Sequence, residues 1–221
     1  MAVLGIDQSL SGTGLSHIDH QGKLIRQKLL KTAKLRGVTR LNTICDSVLE
    51  FCKETHERFV IAREGYSFGS KGRASFSLGE LGGCIDLTLF KAGMSELVDY
   101  YVFSPMVIKK YCLGSGAVKK DTEYLLKVYD VFGIRFPDDN QADAFLIAQT
   151  LLGMLNGRNT ANPKFFEGLS QAQKEALVSK SEGVTQAKVK KMSHEEFAAH
   201  VAESLQNCKG FEGSDRDDEQ E

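Results

Sequence analysis

Apolar residues run unbroken through Ala2-Val3-Leu4-Gly5-Ile6 and stop at Asp7, and after a Ser/Gly-rich turn the chain resumes as Gly14-Leu15-Ser16-His17-Ile18. This predicts a buried strand, a tight turn and a second strand within residues 1–19. A third strand follows over 22–30, joined by a turn at Asp19-His20-Gln21-Gly22, so the first three strands form an antiparallel meander. Leu41, Ile44, Val48 and Phe51 then recur at helical spacing, with Cys45 and Cys52 on the flank, and predict an amphipathic helix over 35–55. Residues 58–64 read as a fourth strand. Like the first, it ends in a carboxylate, Glu64.

Beyond Glu64, glycines, two aromatics (Tyr66, Phe68) and two basic residues (Lys71, Arg73) interleave in a loop. A helix over 74–92 has Leu78, Leu81, Ile85 and Leu89 as its apolar stripe, and its Gly79, Gly82 and Gly83 permit close approach of another element. A strand is expected over 97–103. Ser104-Pro105 then supplies an N-cap and a first-turn proline for a short helix carrying Lys109 and Lys110, which stops at Leu113-Gly114-Ser115-Gly116. A longer helix is expected over 118–132, beginning with Lys119-Lys120-Asp121. After Pro137, Asp138-Asp139-Asn140-Gln141-Ala142-Asp143 opens a helix so apolar, as far as Leu155, that most of its surface must be buried.

From Asn156 the chain turns polar, and Gly157, Asn159, Asn162 and Pro163 mark a linker. This divides the chain into a domain over 1–156 and a helical extension over 157–221. Helical patterns recur at 171–179 and 194–206, the second opened by the capping box Ser193/Glu196, and the acidic end at 213–221 is expected to be disordered. Meander, helix, strand, helix, strand, helices: this order implies an α/β mixed sheet with right-handed crossovers.

Composition alters this picture little. With no long apolar run and no signal-peptide pattern, a soluble cytoplasmic protein is expected. The five cysteines are odd in number and scattered without a CxxC pair, which argues against a disulfide framework or a zinc site, and the histidines show no metal-ligand spacing. Net charge is −1, but unevenly spread: residues 1–157 hold 19 Lys+Arg against 17 Asp+Glu, and residues 158–221 hold 9 against 12.

The chemistry lies in the carboxylates. A carboxylate at the end of a buried strand is costly unless it is partnered, so Asp7 either caps its own turn or meets a cation. In a mixed sheet of this order the first and fourth strands are often neighbours, which puts Asp7 beside Glu64. Asp139 and Asp143 are one helical turn apart on one face of the last buried helix. Either Asp138 or Asp139 stands where an N-cap belongs, whereas Asp143 falls within an apolar stretch where an unpaired charge would be costly. If that helix crosses the sheet at the strand ends, three or four carboxylates meet in one cleft. Oxygen-only ligation favours Mg²⁺ or Mn²⁺, and two such ions about 4 Å apart suit phosphodiester hydrolysis.

Those residues carry a resemblance. Gly5-Ile6-Asp7, Glu64, the segment from Ile108-Lys109-Lys110 to Gly114-Ser115-Gly116 and Lys119-Lys120, and Gln141-Ala142-Asp143-Ala144 resemble, in order and spacing, the RuvC family of Holliday-junction resolvases, and more particularly its phage-type branch. That family belongs to the ribonuclease-H-like, retroviral-integrase superfamily, and the likeness spans about residues 2–154. It implies a ribonuclease-H-like fold and a metal-dependent endonuclease that resolves four-way and other branched DNA in recombination, repair or phage packaging. It further implies that Asp7, Glu64 and Asp143 are catalytic metal ligands, with two Mg²⁺ per site and Mn²⁺ able to substitute. Lys109 and Lys120 match basic residues near the scissile phosphate, with Lys110 and Lys119 beside them on the DNA rim. The family is dimeric through the helix after Glu64, and Tyr66 and Phe68 would stack on unpaired bases, with Lys71 and Arg73 nearby. Two positions depart from the common pattern: Gln8-Ser9 replaces Pro-Gly after the first Asp, and Asn140 stands where a second acid is usual, so Asp139 is taken as the fourth ligand. The competing readings are a catalytically idle branched-DNA-binding module, and an actin-like or sugar-kinase nucleotide-binding domain, which opens with a similar strand, Asp and Gly-rich turn. Paired lysines on helices are also common as a merely solvated face.

Overall fold

The computed structural model describes residues 2–55, 59–65, 73–94, 100–118, 123–159 and 170–178. Its strands are β1 (Ala2–Asp7), β2 (Gly12–Ile18), β3 (Leu24–Lys31), β4 (Phe59–Glu64) and β5 (Tyr100–Phe103). They form one mixed sheet in the order β3-β2-β1-β4-β5. The meander β1-β2-β3 is antiparallel, and β4 and β5 join in parallel through crossovers. At the β2–β3 turn, the Asp19 carboxylate accepts from the amides of Gln21 (2.8 Å) and Lys23 (3.0 Å), which locks the register the meander needs.

The helices are α1 (Gly37–Lys53), α2 (Arg73–Lys91), α3 (Pro105–Leu113), α4 (Tyr124–Phe132), α5 (Asp139–Asn159) and α6 (Gln171–Val178). Two apolar layers sandwich the sheet. On one face Leu4, Ile6, Leu15, Phe59 and Ile61 pack against Ile44, Val48 and Phe51 of α1 and Leu81, Ile85 and Leu89 of α2. On the other, Val3, Ile18 and Ala62 pack beneath α5, which is joined there by α3, α4 and Ala176 of α6. Alternation along each strand produces these two faces, because successive side chains point opposite ways.

Two expectations need correction. The last core helix continues through Asn156 to Asn159 rather than giving way to a linker at Asn156. With no proline between Pro137 and Pro163, the backbone keeps its hydrogen-bonded ladder at only a small propensity cost. The helix expected from Val118 begins, among the described residues, at Tyr124; Val118 itself is not helical. The start of the strand expected at 97–103, the helix expected at 194–206 and the acidic end at 213–221 lie outside the described residues. Among the described residues, no helix is long and apolar enough to cross a membrane.

Candidate active site

α5 is seated on the sheet at two glycines. A Cβ on Gly5 would overlap the Ala144 carbonyl oxygen, and one on Gly14 would overlap the Asn140 carbonyl oxygen, so only glycine admits the helix this close. Asp7 pairs across the sheet with Gly14 and lies two residues beyond Gly5 on the same face. Its side chain is therefore directed under the 140–144 stretch of α5. The β1–β4 register pairs Gly5 with Ala62 and Ile6 with Arg63, and Asp7 and Glu64 are the next and last residues of their strands, on that face by alternation. Arg63 points the other way, to Asp86 on α2.

The Ser/Gly-rich turn after Asp7 has its own closure. Thr13 Oγ1 donates to the Ser9 carbonyl at 2.6 Å, and Ser9 Oγ accepts from the amides of Ser11 and Gly12 at 3.3 Å. The Gln8 side chain ties the two strand ends together by donating to the Glu64 carbonyl at 3.2 Å.

At the start of α5, Asp138 is the N-cap, its Oδ1 accepting from the Gln141 amide at 2.9 Å. That leaves Asp139 half-buried in the first turn, one turn before Asp143. Asp143 is 6% exposed and Asp7 4%. The hydroxyl of Tyr124, the first residue of α4, donates to Asp143 Oδ1. Burial first, then the adjacent Asp143 carboxylate and more weakly Asp7, push the Tyr124 phenol far above its ordinary range, so it stays protonated and donating. Lys109 reaches the same spot from α3. Its ammonium donates to the Val118 carbonyl at 2.7 Å and stands 5.5 Å from the centre of the Tyr124 ring.

Among the described residues, no three His, Cys, Asp or Glu side chains converge at metal-binding distance. Asp7 and Asp143 are both buried and both act on Tyr124, whereas Glu64 ends β4 and Asp139 lies one turn before Asp143. Such a set still fits a hard divalent ion. Magnesium is commonly held by one or two carboxylates, with waters and substrate phosphates completing its shell. Beside Asp7, the buried Gln8 Oε1 accepts no hydrogen bond and adds an oxygen donor to the set.

Of the residues expected to touch DNA, Lys110 is half-buried on α3 and Arg73 begins α2. Tyr66, Phe68, Lys71, Lys119 and Lys120 lie outside the described residues. Sequence reasoning did not single out Tyr124, and it read Gln8 only as a departure from a family pattern. A tyrosine opening an amphipathic helix gives no sign that its partner lies nineteen residues on.

A family model described as crossover junction endodeoxyribonuclease RuvC matches residues 3–150. The crossover junction endodeoxyribonuclease RuvC of Bordetella avium is 27% identical over 164 residues, spanning 72% of this chain and 88% of the relative. That of Brevibacillus brevis is 29% identical over 159 residues, spanning 68% and 90%. The Thermus thermophilus RuvC structure superposes with a TM-score of 0.56 at 26% identity, covering 72% of this chain and 96% of that one. A second structure, T. thermophilus RuvC in complex with Holliday junction substrate, shares the fold with a TM-score of 0.57 at 23% identity, again covering 72% and 96%. The five-stranded sheet and its flanking helices are thus the ribonuclease-H-like fold of RuvC.

Proposed function

Because this chain belongs to the RuvC family of crossover junction endodeoxyribonucleases, we propose that its hydrolysis of branched DNA is centred on Asp7 and Asp143. Nucleases of this family depend on divalent metal and resolve Holliday junctions in a structure-selective way. The observation that carries the reading is the seating of α5 on Gly5 and Gly14, which brings two buried carboxylates from distant parts of the sequence to one end of the sheet.

Asp7 and Asp143 would be the principal ligands, with Glu64 and Asp139 completing two Mg²⁺ sites. When bound, such ions stabilise the charge that develops at the scissile phosphate and make a bound water a better nucleophile. The chain's own groups hold that arrangement. Gln8 fixes the Glu64 end of β4 to β1, Asp138 caps α5 and leaves Asp139 for the site, and the Tyr124 hydroxyl donates to Asp143. Lys109 and Lys110 on α3, with Lys119 and Lys120, would hold the DNA backbone by its phosphates without reading sequence. Tyr66 and Phe68, with Lys71 and Arg73, would meet bases and backbone opened at the crossover.

A homodimer is the assembly we propose. Phe76, Leu87 and Phe90 are exposed on one face of α2, opposite the buried Leu81, Ile85 and Leu89. Gly83 lies between them with open space around it, whereas Gly82 is turned into the core. An isologous contact through this face would present two sites to a two-fold junction.

The test is incubation of the full chain with a synthetic four-way junction and Mg²⁺. Paired nicks at the crossover are expected, and Asp7→Asn and Asp143→Asn should each lower the rate by on the order of a thousandfold while retaining junction binding. Junctions left intact with both Mg²⁺ and Mn²⁺ despite tight binding would favour an idle DNA-binding module instead.

A further inference from the structure

Tyr124 has no part in the carboxylate chemistry itself, yet it is built into the site from several sides. It is 1% exposed, the first residue of α4, and its ring lies in the apolar cluster beneath α5. A buried hydroxyl needs a partner, and this one has taken a buried carboxylate, Asp143 Oδ1, rather than a backbone carbonyl. The ring is held in turn. Lys109 Nζ sits over it at 5.5 Å while donating to the Val118 carbonyl at 2.7 Å, so the ammonium is tethered rather than swinging in solvent. Side chains of α3, α4 and α5 are thus linked in series, Lys109 over the Tyr124 ring and the Tyr124 hydroxyl on Asp143 Oδ1.

We propose that Tyr124 is a positioning residue that fixes the orientation of Asp143 toward Asp7 before any ion binds. The inference rests on the metal-nuclease reading above. An ionised carboxylate offers about four lone-pair positions, so the phenol can aim the group without exhausting it. A phenol suits the task better than a flexible donor, because its oxygen is fixed by the packing of its ring. Groups that orient a metal-bound carboxylate from behind commonly change metal affinity by about 10- to 100-fold when removed. A hydroxyl that only satisfied a buried acid would affect folding and leave metal affinity unchanged.

Tyr124→Phe keeps the ring, its packing and the Lys109 contact, and deletes only the hydroxyl. Free Mn²⁺ is followed by electron paramagnetic resonance as it is titrated into the DNA-free full chain. The Phe variant is expected to bind about 10- to 100-fold more weakly than the wild type. In the wild type, Mn²⁺ should also perturb tyrosine ultraviolet absorbance along the same binding curve, and Tyr124→Phe should lack that component. The wild-type measurement stands even if the variant does not fold. Equal Mn²⁺ affinity in the two proteins, or saturable binding by the wild type without any tyrosine perturbation, would overturn the proposal while leaving the nuclease reading intact. A wild-type chain that neither binds Mn²⁺ nor cuts junctions would overturn both.

Discussion

Gly5 of β1 lies directly beneath Ala144 of α5: a Cβ on Gly5 would overlap the Ala144 carbonyl oxygen and stand 2.7 Å from the Ala148 amide nitrogen. Asp7 is two residues from one partner and Asp143 one residue from the other, so this contact sets the separation of the two carboxylates. Overlap with backbone cannot be relieved by turning a side chain. Gly5→Ala should therefore destabilise the fold by about 1–3 kcal/mol or more, read by urea denaturation. Junction cleavage should fall further than the unfolded fraction explains, because the helix is displaced. A Gly5→Ala protein with wild-type stability and rate would mean that α5 does not sit this close.

Arg63 lies on the opposite face of β4 and donates to both carboxylate oxygens of Asp86, at 3.2 and 3.0 Å. The guanidinium is nearly buried whereas the carboxylate is about one-third exposed. Removing the anion strands a cation that has few routes to water. Asp86→Asn is expected to cost about 1–3 kcal/mol, while Arg63→Met with Asp86→Asn should recover part of that loss. A double-mutant cycle in urea measures the difference, and additive effects would show that the pair is not coupled.

Alkaline pH should loosen the core through its buried thiols and phenols. Burial pushes the Cys52 and Cys112 thiols up to about 12, and raises Tyr111 and Tyr124 as well. In the unfolded chain a thiol ionises near about 8.5 and a phenol near about 10. Between the unfolded and folded values the native state keeps protons that the unfolded chain releases. The stability these groups contribute is thus complete below about pH 8.5 and lost as pH rises toward 12, at up to about 1.4 kcal/mol per pH unit for each group. Unfolding midpoints should fall steeply across that window. Cys112→Ala, which also removes the Sγ contacts with the Leu146 carbonyl and Thr150, should start lower but fall less steeply.

The exposed apolar face of α2 gives the proposed dimer a direct check. Leu87→Glu puts a charge in the middle of the Phe76, Leu87 and Phe90 face without touching the core side of the helix. Light scattering should report a dimer for the wild type and a monomer for the variant. Fold stability of the monomer itself should change by no more than about 0.5 kcal/mol, as for other surface substitutions. A wild type that is monomeric at micromolar concentration would remove α2 as a dimer surface.

Much of the site was legible in one dimension because burial and periodicity are local properties. The apolar runs ending at Asp7 and Glu64 announce strand-end carboxylates, and Asp143 draws attention because a charge interrupts an apolar helix. Their order also carries the family resemblance, which the match over residues 3–150 bears out. Local pattern cannot choose between neighbours that differ only in direction. Asp138 and Asp139 read alike until the Gln141 amide takes Asp138 as its cap. Nor does it register a requirement for no side chain at all: Gly5 and Gly14 are unremarkable strand glycines until α5 lies on them. The bond from Tyr124 to Asp143 belongs wholly to the tertiary structure, since it depends on how two helices cross over the sheet. Sequence determined which residues are buried and on which element; packing decided which of them touch, because a contact is set by the placement of whole elements and not by the spacing within one.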